Sequence, residues 1–201
     1  MKVTIVDYGA GNVPSVERAL LRLGADSQRT TSPESISQAQ ALLLPGVGHI
    51  SALVRALDEQ MLRTPLVEAI HRGVPFLGIC LGLQVLYESS EEAPQLRGLH
   101  LLPGRVSALP SNVKLPHMGW NQVAEKRESR LLQGIHKDAY FYFAHSYAAC
   151  GSNEDVIATC SHGSEFAAVI EHQNIFGVQF HPEKSGAPGA RVLQNFLSLA
   201  A

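Results

Sequence analysis

The chain has 201 residues, of which 45% are hydrophobic, enough to bury one complete core, so we expect a single domain over residues 1–201. Its formal net charge is -2 and it has no basic run, which argues against nucleic-acid and membrane-surface partners, and no apolar stretch reaches the ~18 residues of a membrane span. Three cysteines and an apolar start too short for a signal peptide predict free thiols in a reducing cytoplasm.

The first half of the chain alternates apolar strands with amphipathic helical patterns. The predicted strands cover residues 3–7, 41–44 and 74–80, and the predicted helices cover residues 14–23, 49–61 and 65–71. Glycines or prolines interrupt the pattern between these segments. Because strands that alternate with helices usually lie parallel, this half predicts an α/β fold with a parallel sheet.

Beyond Tyr87 the sequence becomes polar and then richer in short β-like segments. The predicted strands cover residues 105–109, 117–123, 139–149, 156–160, 166–171 and 175–181, and a last helix covers residues 189–199. The final two strands flank Gln173-Asn174 as a hairpin that ends at His181. Since the chain has no repeat, low-complexity tract or long linker, we predict no domain boundary.

Cys80 lies in the string Gly78-Ile79-Cys80-Leu81-Gly82, between an apolar strand and the start of a helix. Such a turn bends the chain sharply at the cysteine, and its glycines let neighbouring backbone approach without Cβ clashes. The sulfur is then expected to project above the sheet, exposed and fixed, and free N–H groups at the helix start face it as part of an oxyanion hole. We therefore predict a thiol nucleophile. The plainer alternative is a cysteine packed as a small core hydrophobe.

Late in the chain, His181-Pro182-Glu183 follows an apolar run. His181 and Glu183 are two positions apart, so on extended backbone both side chains leave the same face. A thiol nucleophile needs a base that takes its proton and later protonates the departing amine, and a further group can orient that base. With Cys80 available, we assign these roles to His181 and Glu183. In isolation, the motif would indicate only a solvated strand end.

Three further segments have weaker functional interpretations. Pro45-Gly46-Val47-Gly48 follows a strand that should end beside Cys80, and it permits a backbone N–H to point at an oxyanion, although an ordinary turn would look the same. Gly9-Ala10-Gly11 begins like a dinucleotide fingerprint, but Pro14 stands at the third glycine position, so we expect no nucleotide. His145 lies in an apolar-aromatic strand, where a hydrogen-bonded core histidine is the commoner outcome, with a supporting role behind the site at most.

The remaining cysteines and a group of acidic residues are interpreted as structural or solvated. Cys150 and Cys160 lack histidines at ligand spacing for a zinc site, so we expect core or edge thiols. Glu88, Glu91 and Glu92 are interpreted as a solvated charge run. No metal and no cofactor is therefore expected.

Longer strings indicate a family resemblance. The turn at residues 45–48, the elbow extended to Gln84 and the terminal His181-Pro182-Glu183 resemble the triad, or class I, glutamine amidotransferases over nearly the whole chain. Within that class, DYGAGN (7–12), LPHMGWN (115–121) and YFAHSY (142–147) are similar to the glutaminase subunits of imidazole glycerol phosphate synthases. The resemblance implies a three-layer α/β fold, with a mostly parallel central sheet, flanking helices and a β-rich second half.

The resemblance also implies a chemistry. Cys80 is expected to attack the side-chain amide of L-glutamine, and His181 to shuttle the proton. Glu183 is expected to orient His181. Water would then resolve a glutamyl thioester, releasing glutamate and ammonia.

The resemblance also assigns residues to glutamine binding and to the oxyanion hole. Gln84 is expected to help hold glutamine, and the amide of Leu81 to donate to the oxyanion. The Val47–Gly48 peptide is expected to supply the second donor. In that family the second donor is thought to form only when this peptide reorients, which would make activity depend on a partner.

The implied partner is a (β/α)8-barrel cyclase, which uses the ammonia to make imidazole glycerol phosphate and AICAR in histidine biosynthesis. Asn12, Trp120 and Lys184 match positions that the family places at or near this interface. A large exposed aromatic side chain at position 120 would suit an interface anchor, although a single tryptophan is as often part of a core.

One departure and three alternatives complete the sequence-based interpretation. The family commonly has glycine where this chain has His100, a tolerated surface change unless a positive φ is required there. Another triad amidotransferase, such as the glutaminase of pyridoxal phosphate synthase, and a standalone γ-glutamyl hydrolase are alternatives, which the turn at residues 45–48 and the Trp120 string disfavour. A non-catalytic regulatory subunit is the third, which the intact cysteine, histidine and glutamate set disfavours.

Overall fold

The computed structural model describes residues 2–150 and 154–200. In the first half, strands and helices alternate as predicted, with two short additional elements. The elements in chain order are β1 (Lys2–Val6), α1 (Val13–Arg22), β2 (Asp26–Thr30), α2 (Pro33–Ser37), β3 (Leu42–Gly46), α3 (Ile50–Glu59), α4 (Arg63–His71), β4 (Phe76–Cys80) and α5 (Leu81–Gln84).

The second half is rich in strands, as predicted. Its elements are β5 (Ser89–Ser90), β6 (Arg105–Ala108), β7 (His117–Gln122), β8 (Ala124–Glu125), β9 (Tyr140–His145), β10 (Tyr147–Ala149), β11 (Val156–His162), β12 (Ser164–His172), β13 (Ile175–Val178), a 3₁₀ turn (Pro182–Lys184) and α6 (Gly186–Leu199). The predicted hairpin at Gln173-Asn174 is confirmed, because β12 and β13 pair antiparallel across it.

Eight strands from residues 2–150 and 154–200 form the central sheet, in the order β2-β1-β3-β4-β13-β12-β11-β8. The five strands from β2 to β13 in that order are mutually parallel, and the last three join through antiparallel pairs. The prediction of a mostly parallel sheet is therefore confirmed. Because the carboxyl ends of parallel strands meet at one edge, β3, β4 and β13 all end on the same side of the molecule.

Apolar side chains cover both faces of this sheet. Leu20 of α1 and Phe196 of α6 belong to the core on one face, and Leu53 of α3 and Leu66 of α4 belong to the core on the other. Within β3, successive residues alternate between the two cores, with Leu43 on the first. Helices therefore pack on both faces of the sheet, which is the predicted three-layer α/β arrangement.

Two elements of the first half have little sequence signal. β2 consists of polar residues, Asp26–Thr30, and lies at the edge of the sheet, where it pairs with β1. An edge strand that is half exposed needs no apolar alternation, so its pattern resembles that of a loop. α2 has five residues, and its start is capped by the Ser32 hydroxyl, which accepts from the Ser35 N–H at 3.2 Å.

The predicted strand over residues 139–149 is in fact two strands in different sheets. In the part of the chain that the structure describes, β9 pairs with β7 in a two-stranded ribbon, whereas β10 joins β6 and β5. The β7–β9 ribbon places Trp120 opposite Tyr142 and leaves the side chains of Met118, Trp120 and Tyr140 exposed. This ribbon lies beside the site described below.

Two further observations concern the surface. His100 is exposed and has a φ of 54°, so the position that is commonly glycine in the family does require a left-handed backbone. Among the helices of residues 2–150 and 154–200, none is long and apolar enough to cross a membrane.

Candidate active site

Strand β4 ends at Cys80, where the chain turns directly into α5. Cys80 has φ 54° and ψ -107°, a combination that side-chain-bearing residues rarely adopt. A Cβ on Gly82 would lie 1.8 Å from the carbonyl oxygen of Leu44 in β3, and a Cβ on Gly78 would lie 2.3 Å from the carbonyl oxygen of Gly82. The turn is therefore packed directly against the neighbouring strand, and the predicted elbow geometry is confirmed.

Strand register brings two other chain segments to Cys80. Gly46, the last residue of β3, pairs with Cys80, and Val178, the last residue of β13, pairs with Ile79. The chain that follows β13 therefore passes beside the sulfur and continues to His181. The expectation of an exposed sulfur is wrong, because burial leaves Cys80 only 3% exposed and its sulfur is reached through a cavity.

His181 and Glu183 form a buried pair, but the expectation of extended backbone between them is wrong, because Pro182–Lys184 form a 3₁₀ turn. The His181 Nδ1 and Glu183 Oε1 atoms are 3.0 Å apart, and the two side chains are 3% and 1% exposed. Burial lowers the pKa of His181, but hydrogen bonds to Cys80 and Glu183, together with their charges, outweigh burial and raise that pKa to about 9. The protonated imidazole is therefore favoured at neutral pH, and His181 is able to hold a proton withdrawn from Cys80.

The backbone around His181 is also fixed. The His181 N–H donates to the Tyr142 carbonyl oxygen at 2.8 Å, and the His181 carbonyl oxygen accepts from the Ser185 hydroxyl at 2.7 Å. The Tyr142 N–H in turn donates to the Ser185 hydroxyl at 3.0 Å. These bonds tie the end of the β13 segment to β9, so the imidazole has little freedom to move away from Cys80.

A cavity of about 300 Å³ opens next to Cys80 and His181. The predicted site residues that line it are Asn12, Val47, Gly48, Cys80, Leu81, Gln84, His181 and Lys184. Glu183 does not line the cavity but supports His181, and Trp120 lies outside it on β7. A larger hollow of about 640 Å³ between β7, β8 and β11 borders none of the predicted site residues. The smaller cavity is large enough to enclose part of a small molecule.

The glycine-rich turn after β3 forms one wall of this cavity. Gly48 has a φ of 90°, and the Val47 N–H donates to the Tyr8 hydroxyl at 3.3 Å. Burial raises the pKa of Tyr8 to about 12, so this hydroxyl is neutral at physiological pH. The Val47 N–H is thus engaged by Tyr8 in this conformation.

Comparison with known proteins identifies the family. The glutamine amidotransferase class-I model matches residues 4–200. The chain is 48% identical over 197 residues to the imidazole glycerol phosphate synthase subunit HisH of Methanothermobacter thermautotrophicus, with 98% of each chain covered. It is 44% identical over 200 residues to the HisH subunit of Pyrococcus furiosus, covering 98% of this chain and 99% of that one. The chain belongs to the class-I glutamine amidotransferase family, among the HisH subunits.

Solved structures of glutamine amidotransferases share the fold. A crystal structure of a glutamine amidotransferase superposes with a TM-score of 0.79 at 19% identity, covering 98% of both chains. The PurLQS structure from Thermotoga maritima matches with a TM-score of 0.78 at 20% identity, covering 100% of this chain and 99% of that one. At this level of identity the likeness concerns the fold, which agrees with the predicted fold class.

In this glutamine amidotransferase, a chain of neutral histidines reaches the cavity wall. Burial lowers the pKa of His145 to about 3 and that of His117 to about 4. His145 Nδ1 donates to the Tyr147 carbonyl oxygen at 2.9 Å, so its Nε2 accepts from His117 Nδ1 at 3.1 Å. His145 is therefore a hydrogen-bonded buried histidine, as predicted. The expectation that it would lie behind the site at most is wrong, because it lines the cavity.

Other residues at the amidotransferase cavity were missed or misinterpreted from the sequence. Glu92, interpreted as solvated, lines the cavity, and its Oε2 accepts from the Ile50 N–H at the start of α3 at 2.8 Å. The interpretation of Glu92 as solvated is wrong, because its carboxylate is hydrogen-bonded to the start of a helix that is distant in the sequence. Ser146 and Tyr147 also line the cavity, within a string used only for family resemblance. Gln179 was not singled out, although its side chain contacts Cys80.

Aromatic and cationic side chains link the rim of the amidotransferase cavity to the β7–β9 ribbon. Lys184, which lines the cavity, places its Nζ 5.6 Å from the centre of the Tyr142 ring. The Trp120 ring meets the same tyrosine edge-on at 6.0 Å, and Trp120 is 56% exposed. Trp120 is therefore a surface residue and not part of the core.

The described residues also bear on a candidate metal centre. Among residues 2–150 and 154–200, no group of three or more histidine, cysteine, aspartate or glutamate side chains is arranged to hold an ion. Cys80, Cys150 and Cys160, all within the described ranges, are free thiols, with Cys160 buried and Cys150 exposed. Burial raises the pKa of Cys160 to about 12, so this thiol is unreactive near neutral pH.

Proposed function

We propose that this chain hydrolyses L-glutamine to L-glutamate and ammonia at Cys80, and supplies the ammonia to a cyclase subunit that makes imidazole glycerol phosphate and AICAR in histidine biosynthesis. The observation that supports it most directly is the strained Cys80 elbow beside the buried His181–Glu183 pair, in a cavity of about 300 Å³. Membership of the class-I glutamine amidotransferase family supports the same chemistry.

In the proposed first step, the proton of Cys80 passes to His181, and the resulting thiolate attacks the side-chain carbonyl carbon of glutamine. The raised pKa of His181 supports this role, because the imidazolium is the favoured product of the transfer. When the tetrahedral intermediate collapses, the C–N bond breaks and His181 gives the proton to the departing nitrogen, which leaves as ammonia. Glu183, 3.0 Å from Nδ1, would keep the imidazole oriented and stabilise its charge.

In the second step, water attacks the glutamyl thioester. His181 takes the proton of the water, the C–S bond breaks, glutamate leaves, and the proton returns to the sulfur. The proposed oxyanion donors are the Leu81 N–H at the helix start and the Val47–Gly48 peptide. Since the Val47 N–H is engaged by Tyr8 in this conformation, the second donor would require a local rearrangement.

Gln84 is the proposed glutamine-holding residue. Its Nε2 donates to the Tyr147 carbonyl oxygen at 2.7 Å and to Gln179 Oε1 at 3.0 Å, which uses both of its hydrogens. Its buried Oε1 has no hydrogen-bond partner within residues 2–150 and 154–200. Because an unpaired buried acceptor is costly, a donor group of the substrate would satisfy it after a small local movement.

The proposed partner is a (β/α)8-barrel cyclase, bound through a surface that includes Asn12, Trp120 and Lys184. The names of the HisH relatives support a partner subunit, since they are subunits of imidazole glycerol phosphate synthase. The exposure of Trp120 supports the surface. We further propose one domain over residues 1–201, no cofactor, and a cytoplasmic location, where the three free thiols would stay reduced.

The proposal is tested by glutamate release from glutamine, with and without the cyclase subunit of an imidazole glycerol phosphate synthase and its nucleotide ligand. We expect weak activity alone and strong activity with the liganded partner. Cys80→Ala should lose on the order of 10³-fold or more of the turnover, since it removes the nucleophile. Cys150→Ala is the matched control, because this exposed thiol does not line the cavity.

Other outcomes would favour other functions. Strong glutamine turnover that ignores the partner would indicate an independent glutaminase or a γ-glutamyl hydrolase. Inactivity in every mixture, with a folded protein by circular dichroism, would favour a non-catalytic subunit. If Trp120→Ala leaves activation by the partner as strong as in the wild type, the proposed interface is wrong.

A further inference from the structure

Gln179 places a fully buried side-chain amide against the sulfur of Cys80. The residue follows β13, its side chain is 0% exposed, and its Nε2 lies 3.5 Å from Cys80 Sγ, within hydrogen-bond range for sulfur. Gln179 and His181 are two positions apart on the segment that follows β13, so one short stretch of chain brings both side chains to Cys80. Burying an amide is costly unless it is hydrogen-bonded, so its partners at this position matter.

The orientation of this amide is determined by its second partner. Gln179 Oε1 accepts from Gln84 Nε2 at 3.0 Å, and Gln84 Nε2 also donates to the Tyr147 carbonyl oxygen, which can only accept. Gln84 must therefore present its nitrogen here, and Gln179 must present its oxygen to Gln84. The nitrogen of Gln179 is consequently the atom that faces the sulfur, and it faces it as a donor.

We propose that Gln179 is a further catalytic residue of the proposed glutaminase: its amide N–H donates to Cys80 Sγ, holds the sulfur in place and stabilises its anionic form. The inference rests on the proposed function for its catalytic consequence. A donor helps because the sulfur is an anion both before attack and again when the thioester is resolved. The amide has no proton to give up, so it supports the anion without competing with His181 for the proton.

Several charged or titratable groups surround the sulfur. His181 hydrogen-bonds to it, and His145, Glu92 and Lys184 line the same cavity. Tyr8, on the segment after β1, is close enough for the charge of Cys80 to contribute to its raised pKa, and its hydroxyl is neutral. These groups are the same in the wild type and in a Gln179 variant. Comparing the two proteins therefore isolates the effect of the Gln179 amide on the reactivity of Cys80.

The test measures alkylation of Cys80 by iodoacetamide as a function of pH, read by mass spectrometry of the Cys80 peptide. Gln179→Met preserves the length of the side chain but has no donor. Gln179→Glu keeps an acceptor for Gln84 and places a second oxygen, with negative charge, against the sulfur. The exposed Cys150 in the same samples is the internal reference.

We expect the midpoint of the alkylation profile to move up by about one pH unit in Gln179→Met and further in Gln179→Glu. Below the midpoint the rate should fall about threefold, since a tenfold smaller anionic fraction is partly offset by a more nucleophilic sulfur. The profile of Cys150 should stay in place. The kcat for glutamine should fall about tenfold in Gln179→Met, with a smaller change in KM.

Unchanged midpoints in both folded variants would overturn the proposal, even if activity fell, because a merely structural role of Gln179 would not move the profile of Cys80. If Gln179→Met fails to fold, Gln179→Glu decides, as it matches the wild-type side chain in size. Alkylation requires no glutamine turnover. A wild-type protein without glutaminase activity would therefore refute the proposed function separately, and the contact between Gln179 and the sulfur would still be tested.

Discussion

The hydrogen bond between His181 and Glu183 can be tested by replacing the carboxylate with an amide of the same size. In Glu183→Gln, Oε1 can still accept from His181 Nδ1 at about the present 3.0 Å, but the negative charge is lost. A hydrogen bond to a charged group contributes about 1.5–3 kcal/mol and a neutral one about 1 kcal/mol, so support for the imidazolium should fall by roughly 0.5–2 kcal/mol. This corresponds to a decrease in kcat of about 2- to 30-fold.

The same substitution should change how stability depends on pH. The pKa of His181 is about 9 in the folded protein and near 6.5 in the unfolded chain, so its contribution is complete below pH 6.5 and is lost as pH rises through 9. In the wild type this loss amounts to about 3 kcal/mol of unfolding free energy. Without the charge of Glu183 the pKa of His181 should fall, and the loss between pH 6.5 and 9 should be smaller.

The assay combines kinetics with urea unfolding at several pH values. The glutaminase kcat of Glu183→Gln should lie between those of the wild type and His181→Ala, because the latter loses the proton transfer itself. Glu183 Oε2 has no hydrogen-bond partner among the described residues, so an amide nitrogen in its place breaks no hydrogen bond, and we expect the variant to fold. A kcat loss equal to or larger than that of His181→Ala would refute the assigned roles.

Three further predictions concern backbone strain and buried histidine. Gly82→Ala should lower the unfolding free energy by more than about 3 kcal/mol in urea titrations, because its Cβ would lie 1.8 Å from the Leu44 carbonyl oxygen. Gly24→Ala is the control. Its Cβ would lie in open space at a φ of 72°, so its unfolding free energy should fall by only about 1–2 kcal/mol. His100→Gly should raise the unfolding free energy by up to about 1 kcal/mol, because glycine adopts a φ of 54° at this exposed site without strain. A lower unfolding free energy in this variant would contradict the strain argument. Burial keeps the pKa of His117 near 4, so unfolding takes up a proton below pH 6.5 and acid destabilises the fold. His117→Gln should therefore reduce the slope of unfolding free energy against pH by about 1.4 kcal/mol per unit between pH 4 and 6.5, and an unchanged slope would argue against a neutral buried His117.

Short-range patterns in the sequence were sufficient for most elements and for the chemistry of the site. The elbow at Cys80 is predictable because the two flanking glycines permit a sharp turn with close backbone approach, and this signal lies within a few consecutive residues. The hairpin at Gln173-Asn174 and the His181–Glu183 spacing are likewise local. Family resemblance then connected these segments, and the described structure brings most of the predicted residues to one cavity.

Tertiary structure alone decided the features that depend on strand order and register. Gln179 meets Cys80 across 99 positions of sequence, because β13 inserts beside β4, and nothing within either segment encodes that neighbour. Glu92 meets the start of α3 across 42 positions, so its local pattern indicated only a solvated charge. The polar strand β2 is held by pairing with β1, and not by apolar alternation. Local conformation depends on neighbouring residues and can be predicted from them, whereas these contacts depend on which distant segments the folded sheet places side by side.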